Sequence, residues 1–118
     1  MSRRLERVSE QLRVEIARVV RKELTDPRVA WVTITRVDVS PDLRNALVFW
    51  SRMDAPDAPD PDTAAEGLAS AAPAIRHKLA AELPLRRMPA LTFRYDPSLT
   101  LGDHALALLR RLNDESSG

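Results

Sequence analysis

Leu68-Ala69-Ser70-Ala71-Ala72-Pro73-Ala74-Ile75-Arg76-His77-Lys78-Leu79-Ala80-Ala81-Glu82-Leu83-Pro84-Leu85-Arg86-Arg87-Met88-Pro89-Ala90-Leu91-Thr92-Phe93-Arg94-Tyr95-Asp96 is the stretch from which the fold can be read. Leu68, Ala72, Ile75, Leu79 and Leu83 recur at steps of three and four, one apolar face of a helix. Pro73 interrupts that pattern. It has no N–H for the carbonyl four residues back, its ring crowds that turn, and it pushes Ala72 away from helical dihedrals. The spacing therefore predicts two helical pieces meeting at Ala71-Ala72-Pro73, with one continuous core face. The second piece should end around Leu83-Pro84, and Met88-Pro89 leads into a short strand, Leu91–Tyr95. There Leu91, Phe93 and Tyr95 alternate with Thr92 and Arg94, the period of a half-buried strand.

Upstream of this stretch, Thr63-Ala64-Ala65-Glu66 has the capping-box pattern that starts a helix. Residues 53–62 before it are rich in Pro and Asp, and Pro56, Pro59 and Pro61 bar a ladder or a helix, so a surface loop is expected. Its alternating acids lack the Gly and the terminal Glu of a Ca²⁺-binding loop. Asn45–Ser51 reads as a strand with Ala46, Val48 and Trp50 on one face, returning from a turn at Ser40-Pro41-Asp42-Leu43. Val29–Val39 reads as its partner, rich in β-branched residues. Val32 and Ile34 share one phase and Val37 and Val39 the other, so a bulge near Arg36 is expected to bring all four to one face. Residues 3–24 form a first helix on the stripe Leu5, Val8, Leu12, Ile16, Val19, Val20 and Leu24, stopped at Thr25-Asp26-Pro27.

Downstream, Asp96-Pro97-Ser98 breaks the chain, and Leu101, Ala105, Leu108, Leu109 and Leu112 suggest a final helix. Residues 113–118 are expected as a disordered polar tail. The order is helix, strand, strand, bent helix, strand, helix: an α+β arrangement with helices on one sheet face, over a single domain spanning 3–112.

Composition narrows the function. The chain has 118 residues, 44% of them hydrophobic, and no cysteine, which excludes disulfides, thiolate metal sites and a cysteine nucleophile. No apolar run approaches the ~18 residues of a membrane span, and the charged N-terminus lacks the apolar core of a signal peptide; a cytoplasmic protein is expected. Net charge is only +1, but residues 54–66 hold five acids and no Lys or Arg. Without those five the balance is 18 basic against 12 acidic residues, and 16 of the 18 are Arg, the side chain suited to planar contacts with phosphate.

Catalysis finds little support. His77 and His104 nominate no third metal ligand, and Asp103 and His104 would point ~100° apart on a helix. Gly67, Gly102 and Gly118 make no phosphate-cradling loop, and no Ser sits in a nucleophile elbow. No catalytic residue, cofactor, metal or small-molecule substrate is expected. The better candidates are basic residues around the bend. Arg76 and Lys78 follow Pro73, and Arg86-Arg87 precede the last strand. A helix restarting at Pro73 would offer free N–H groups to an anion, and the small Ala71, Ala72 and Ala74 would let a nucleic-acid backbone approach. Arg3, Arg4 and Arg7 form a basic end on the first helix. The plain reading of all these charges is a solvated surface.

Arg7-Val8, Asp26-Pro27-Arg28, Val32-Thr33-Ile34-Thr35-Arg36-Val37, Asp42-Leu43 before Ala46, Ile75-Arg76, and Pro89-Ala90-Leu91-Thr92-Phe93-Arg94-Tyr95-Asp96 carry, in their order and spacing, a resemblance that covers residues 5 to about 112. The chain resembles the ribosome-binding factor A family, bacterial assembly factors of the small ribosomal subunit. The resemblance implies a type-II K-homology-like fold (helix, strand, strand, kinked helix, strand) plus a C-terminal helix, in which an Ala-x-Gly helix kink replaces a Gly-rich nucleic-acid-binding loop. Here the corresponding triplet is Ala71-Ala72-Pro73, with Pro where Gly is usual. It further implies a monomeric, non-enzymatic RNA-binding factor that joins the immature small subunit and its ribosomal RNA, assists late rRNA processing, and matters during cold growth. The expected RNA-binding residues are Arg3, Arg4, Arg7, Ala71, Ala72, Pro73, Arg76, Lys78, Arg86 and Arg87, holding phosphates without reading sequence. The alternative is a protein-interaction module using the hairpin edge or the amphipathic helices, without RNA contact; a DNA-binding helix-turn-helix is disfavoured, because the second helix has few side chains suited to base edges.

Overall fold

The apolar stripe of the first segment folds as predicted, into helix α1, Arg3–Lys22, with Leu12, Ile16, Val19 and Val20 buried. The computed structural model describes residues 3–53 and 55–97. The expected final helix at Leu101–Leu112 and the polar tail lie outside the described residues. After α1 the chain makes a 3₁₀ turn, Pro27–Val29. Asp26 caps it, accepting from the Arg28 backbone N–H at 2.9 Å, while the Arg28 guanidinium folds back onto the same carboxylate, Nη2 to Oδ2 at 2.7 Å. Those bonds, the guanidinium's first, hold the Asp26 carboxyl below the usual carboxylate range. This turn takes Val29 out of the predicted strand, which starts instead at Val32.

Strand β1 is Val32–Val39 and strand β2 is Asn45–Arg52, an antiparallel pair. Ile34 pairs with Trp50 and Arg36 with Phe49, so Thr35 is the extra residue of a bulge. The bulge resolves the two phases as expected: Ile34 and Val37, three residues apart, are both buried. Strand β3, Ala90–Tyr95, joins the other side of β2 in parallel, giving the sheet order β1-β2-β3. Ala46, Val48 and Trp50 are opposite Leu91, Phe93 and Tyr95, and the Trp50 and Tyr95 rings meet at a tilt of 41° with centroids 4.7 Å apart.

The parallel connection from β2 to β3 is helix α2, Pro61–Glu82. Its start differs from the expected capping box: Asp60 is the cap, accepting from the Thr63 N–H at 2.8 Å, and Pro61 takes the first helical position, where its missing N–H costs nothing. Its middle differs more. Rather than two pieces meeting at Ala71-Ala72-Pro73, α2 is one helix running through Pro73. Pro73 lies on the exposed side, and so does Ala69, whose carbonyl loses its N–H donor there and can turn to water instead. The buried side, Ala64, Gly67, Leu68, Ile75 and Leu79, holds the helix to the core along its whole length. Of the predicted core face, Leu68, Ile75 and Leu79 are buried, Leu83 packs against the core and Ala72 is only half-buried; no helix begins at Pro73 and no free N–H groups gather there.

Both helices bury their apolar faces on one side of the sheet, where Leu12, Ile16, Val19, Leu68, Ile75 and Leu79 meet Ile34, Val37, Val48 and Trp50. The other sheet face is mixed, with the Arg36 guanidinium 4.3 Å from the Phe49 ring centroid and an Arg36–Asp38 ion pair at 3.1 Å. No helix among the described residues is long and apolar enough to cross a membrane. Gly67 marks the closest approach of α2 to the 3₁₀ turn. A Cβ added there would stand 2.8 Å from Arg28 Cβ and 2.9 Å from Val29 Cγ1.

Two alanine substitutions in α2 should therefore act in opposite directions. Helix propensity favours Gly→Ala by about 1 kcal/mol, but overpacking against Arg28 and Val29 costs about 1–3 kcal/mol, so Gly67→Ala is expected to be destabilising. Pro73→Ala restores a helical hydrogen bond at an exposed position and is expected to stabilise by about 2 kcal/mol, the propensity difference less the gain in unfolded-chain freedom. Urea unfolding followed by Trp fluorescence measures both signs.

Candidate nucleic-acid interface

Three chain segments, remote in sequence, meet at the end of the sheet where β2 and β3 begin. The first is the hairpin turn. Asp42 Oδ1 accepts from Ser40 Oγ at 2.6 Å and from the Arg44 N–H at 3.1 Å, while the Asn45 N–H donates to Ser40 Oγ at 3.1 Å. The Ser40 hydroxyl, then the Arg44 N–H, hold the Asp42 carboxyl below its usual range, so it stays anionic until the pH falls through that lowered value. The turn closes with the Leu43 N–H on the Ser40 carbonyl at 2.9 Å. Leu43 sits at φ 61°, the left-handed region that favours glycine or asparagine.

The second segment is the loop from α2 to β3, residues 83–89. Arg76, expected as a solvent-facing phosphate ligand, instead holds this loop in place. Its Nε donates to the Pro89 carbonyl at 3.2 Å and its Nη2 to the Met88 carbonyl at 3.1 Å. The Ala90 N–H then donates to the Arg44 carbonyl at 2.8 Å, tying the loop to the hairpin. The first two turns of α1 are the third segment, with Arg3, Arg4 and Arg7 exposed. Cations at a helix N-terminus oppose the helix dipole, so this end of α1 attracts anions by both its side chains and its backbone.

Between the three segments lies an open cleft of about 670 Å³, lined by Arg4 and Val8 of α1, Asp42, Leu43 and Arg44 of the hairpin, and Pro84, Leu85, Arg86, Arg87 and Pro89 of the loop. Four arginines and one carboxylate share its walls. Arg44, Arg86 and Arg87 enter no ion pair among the described residues, unlike Arg13 and Arg18 farther along α1, which pair with Glu10 and Glu15.

The expected site therefore divides. Arg4, Arg86 and Arg87 converge on the cleft, with Arg3 and Arg7 on the same exposed turns of α1. Ala71, Ala72 and Pro73 lie on α2 and do not line it; Ala71 packs against the core. Lys78 is 3.8 Å from Glu23, past the far end of α1. Arg44 was missed, because a single Arg after a turn carries no local signal; only its pairing beside the β3 loop reveals it. The acidic segment is far from this end. It follows the last residue of β2, and β2 spans roughly 23 Å at about 3.3 Å per residue, several times the physiological screening length of about 8 Å.

Comparison with known proteins places this arrangement. The family model described as ribosome-binding factor A matches residues 4–109. A ribosome-binding factor A of Pseudomonas syringae pv. tomato is 42% identical over 108 residues, covering 92% of this chain and 78% of that protein. The solution structure of a Thermotoga maritima protein described as a putative ribosome binding factor A superimposes with a TM-score of 0.70 at 26% identity, over 84% of this chain and 92% of that one. A homology model of the Thermus thermophilus factor, fitted into an electron cryo-microscopy map of its complex with the 30S subunit, matches with a TM-score of 0.61 at 26% identity, over 73% and 88% of the two chains. The shared fold is the α+β, K-homology-like arrangement that the sequence resemblance implied.

Arg76→Met keeps the aliphatic stem and removes both donors to the loop. Loss of about 1–2 kcal/mol is expected from two charge-assisted bonds at a partly exposed position, together with faster amide hydrogen exchange at Ala90. Unchanged exchange there would mean that the loop holds its place without the clamp.

Proposed function

This chain belongs to the ribosome-binding factor A family, and on that premise we propose that it binds the small ribosomal subunit through ribosomal RNA, using the arginine-lined cleft and the basic start of α1. In this reading it is a non-enzymatic, cytoplasmic factor that engages the immature subunit and assists late rRNA maturation. The observation that carries the reading is the convergence of Arg4, Arg44, Arg86 and Arg87, from three separate parts of the chain, on one cleft. Building a like-charge cluster costs stability through self-repulsion and is useful only toward an anionic partner. Guanidinium groups bind phosphate oxygens in pairs, and such contacts fix position on an RNA without reading its bases. The family relative whose model was fitted to a 30S complex supports the small subunit as the partner.

The protein-module alternative has less to work with. The apolar faces of α1 and α2 are spent on the core, and the exposed large hydrophobic side chains among the described residues are Val14 and Trp31.

Charge reversal tests the reading. Arg86→Glu with Arg87→Glu should abolish co-sedimentation with small subunits at moderate salt without lowering the melting temperature, since both side chains are exposed and their mutual repulsion is relieved. The single replacements Arg86→Gln and Arg87→Gln should each lower the log–log salt slope by about one. Binding by the double variant at wild-type strength would overturn the proposal.

A further inference from the structure

Phosphates need only the arginines of the cleft, yet three of its lining side chains are aliphatic. Val8, Leu43 and Leu85 come from three different segments, line the cleft together, and are each only half-buried. A fully paired RNA has nothing to place there, because it presents sugar, phosphate and a shallow minor groove while its base faces stay stacked. An unstacked base has a flat apolar face. The cleft is open and about 670 Å³ in volume, the scale of clefts that take a small ligand.

Leu43 adds an independent observation. It is the one non-glycine residue among those described with a positive φ, 61°. Left-handed geometry is disfavoured for a bulky side chain, whereas glycine or asparagine would occupy this turn position without that cost. Strain of this kind gathers where the side chain has work to do. What the strained backbone achieves here is to seat a leucine side chain in the wall of the arginine cleft.

We propose that the cleft takes an unpaired RNA nucleotide, extruded from a bulge, loop or single strand. Its phosphates lie on Arg4, Arg44, Arg86 and Arg87, and its base lies against Leu43, Val8 and Leu85. This rests on the ribosomal-RNA reading above and makes it specific. The protein recognises a place where the RNA is not yet paired, which is a property of an immature subunit rather than a sequence.

Fluorescence anisotropy tests it with the full chain and two labelled RNAs, a fully paired hairpin and the same hairpin carrying one bulged nucleotide. The wild-type protein should bind the bulged RNA about tenfold more tightly, the scale of covering the exposed apolar surface of one or two aliphatic side chains. Leu43→Asn, which suits the left-handed backbone, should keep or raise the melting temperature and lower the affinity for the bulged RNA to that for the paired hairpin. Leu43→Gly gives the same readout if asparagine disturbs the turn. Equal, arginine-dependent binding of both RNAs by the wild-type protein would overturn this inference and spare the proposed function. A bulge preference that survives both Leu43 replacements would also overturn it. Failure to bind either RNA would overturn both proposals.

Discussion

The hydrogen bond from the Ala90 N–H to the Arg44 carbonyl, 2.8 Å long, stands at the point on which the rest of the molecule depends. It begins the parallel pairing of β2 with β3, in which Asn45 is opposite Ala90 and Trp50 opposite Tyr95. Two strands in parallel must start at the same end of the sheet, so the segments feeding them come together there. The hairpin that feeds β2 carries Arg44, and the loop that feeds β3 carries Arg86 and Arg87. The same register brings the Tyr95 ring against Trp50 and completes the core that α1 and α2 cover. A slip of one residue would turn the apolar side chains of β3 from the core to the other face and pull the loop away from the hairpin. Core and cleft are consequences of one register.

Much of this was legible in the sequence where the signal is local and periodic. The phases of Val32, Ile34, Val37 and Val39 demanded a bulge, and Thr35 supplies it. The stripes of α1 and α2 identified Leu12, Ile16, Val19, Val20, Leu68, Ile75 and Leu79 as buried, and the alternation of β3 identified its half-buried face, Leu91, Phe93 and Tyr95. Errors came where local chemistry was overruled by packing. Pro73 argued for a break in α2, but its ring and the carbonyl it deprives both face water, and the buried side keeps the helix whole. Thr63 looked like a cap, whereas Asp60 followed by Pro61 satisfies the helix start one turn earlier. For the site, Arg4, Arg86 and Arg87 could be nominated by residue type. The partnership of Arg44 with them depends on strand register, and the turn of Arg76 onto the Met88 and Pro89 carbonyls depends on how α2 lies over the loop. Neither leaves a trace in spacing.

The charge arrangement follows from the same geometry. Net charge is +1, too small to indicate an anionic partner. The acids of the segment after β2 and the arginines before it are separated by the length of the strand, beyond the reach of screened electrostatics. Each end acts on its own surroundings. Three arginines of α1 and the 3₁₀ turn are neutralised locally, Arg13 by Glu10, Arg18 by Glu15 and Arg28 by Asp26. Arg44, Arg86 and Arg87, which enter no ion pair among the described residues, stand together at the cleft, beside the positive end of a helix dipole.

The most direct measurement of the central claim is a reconstruction of this protein bound to a small ribosomal subunit, at a resolution that shows side chains. An rRNA backbone is expected inside the cleft, with phosphate oxygens within hydrogen-bonding distance of Arg44, Arg86 and Arg87. A bound protein whose cleft faces solvent or a ribosomal protein, with the RNA held elsewhere, would contradict it.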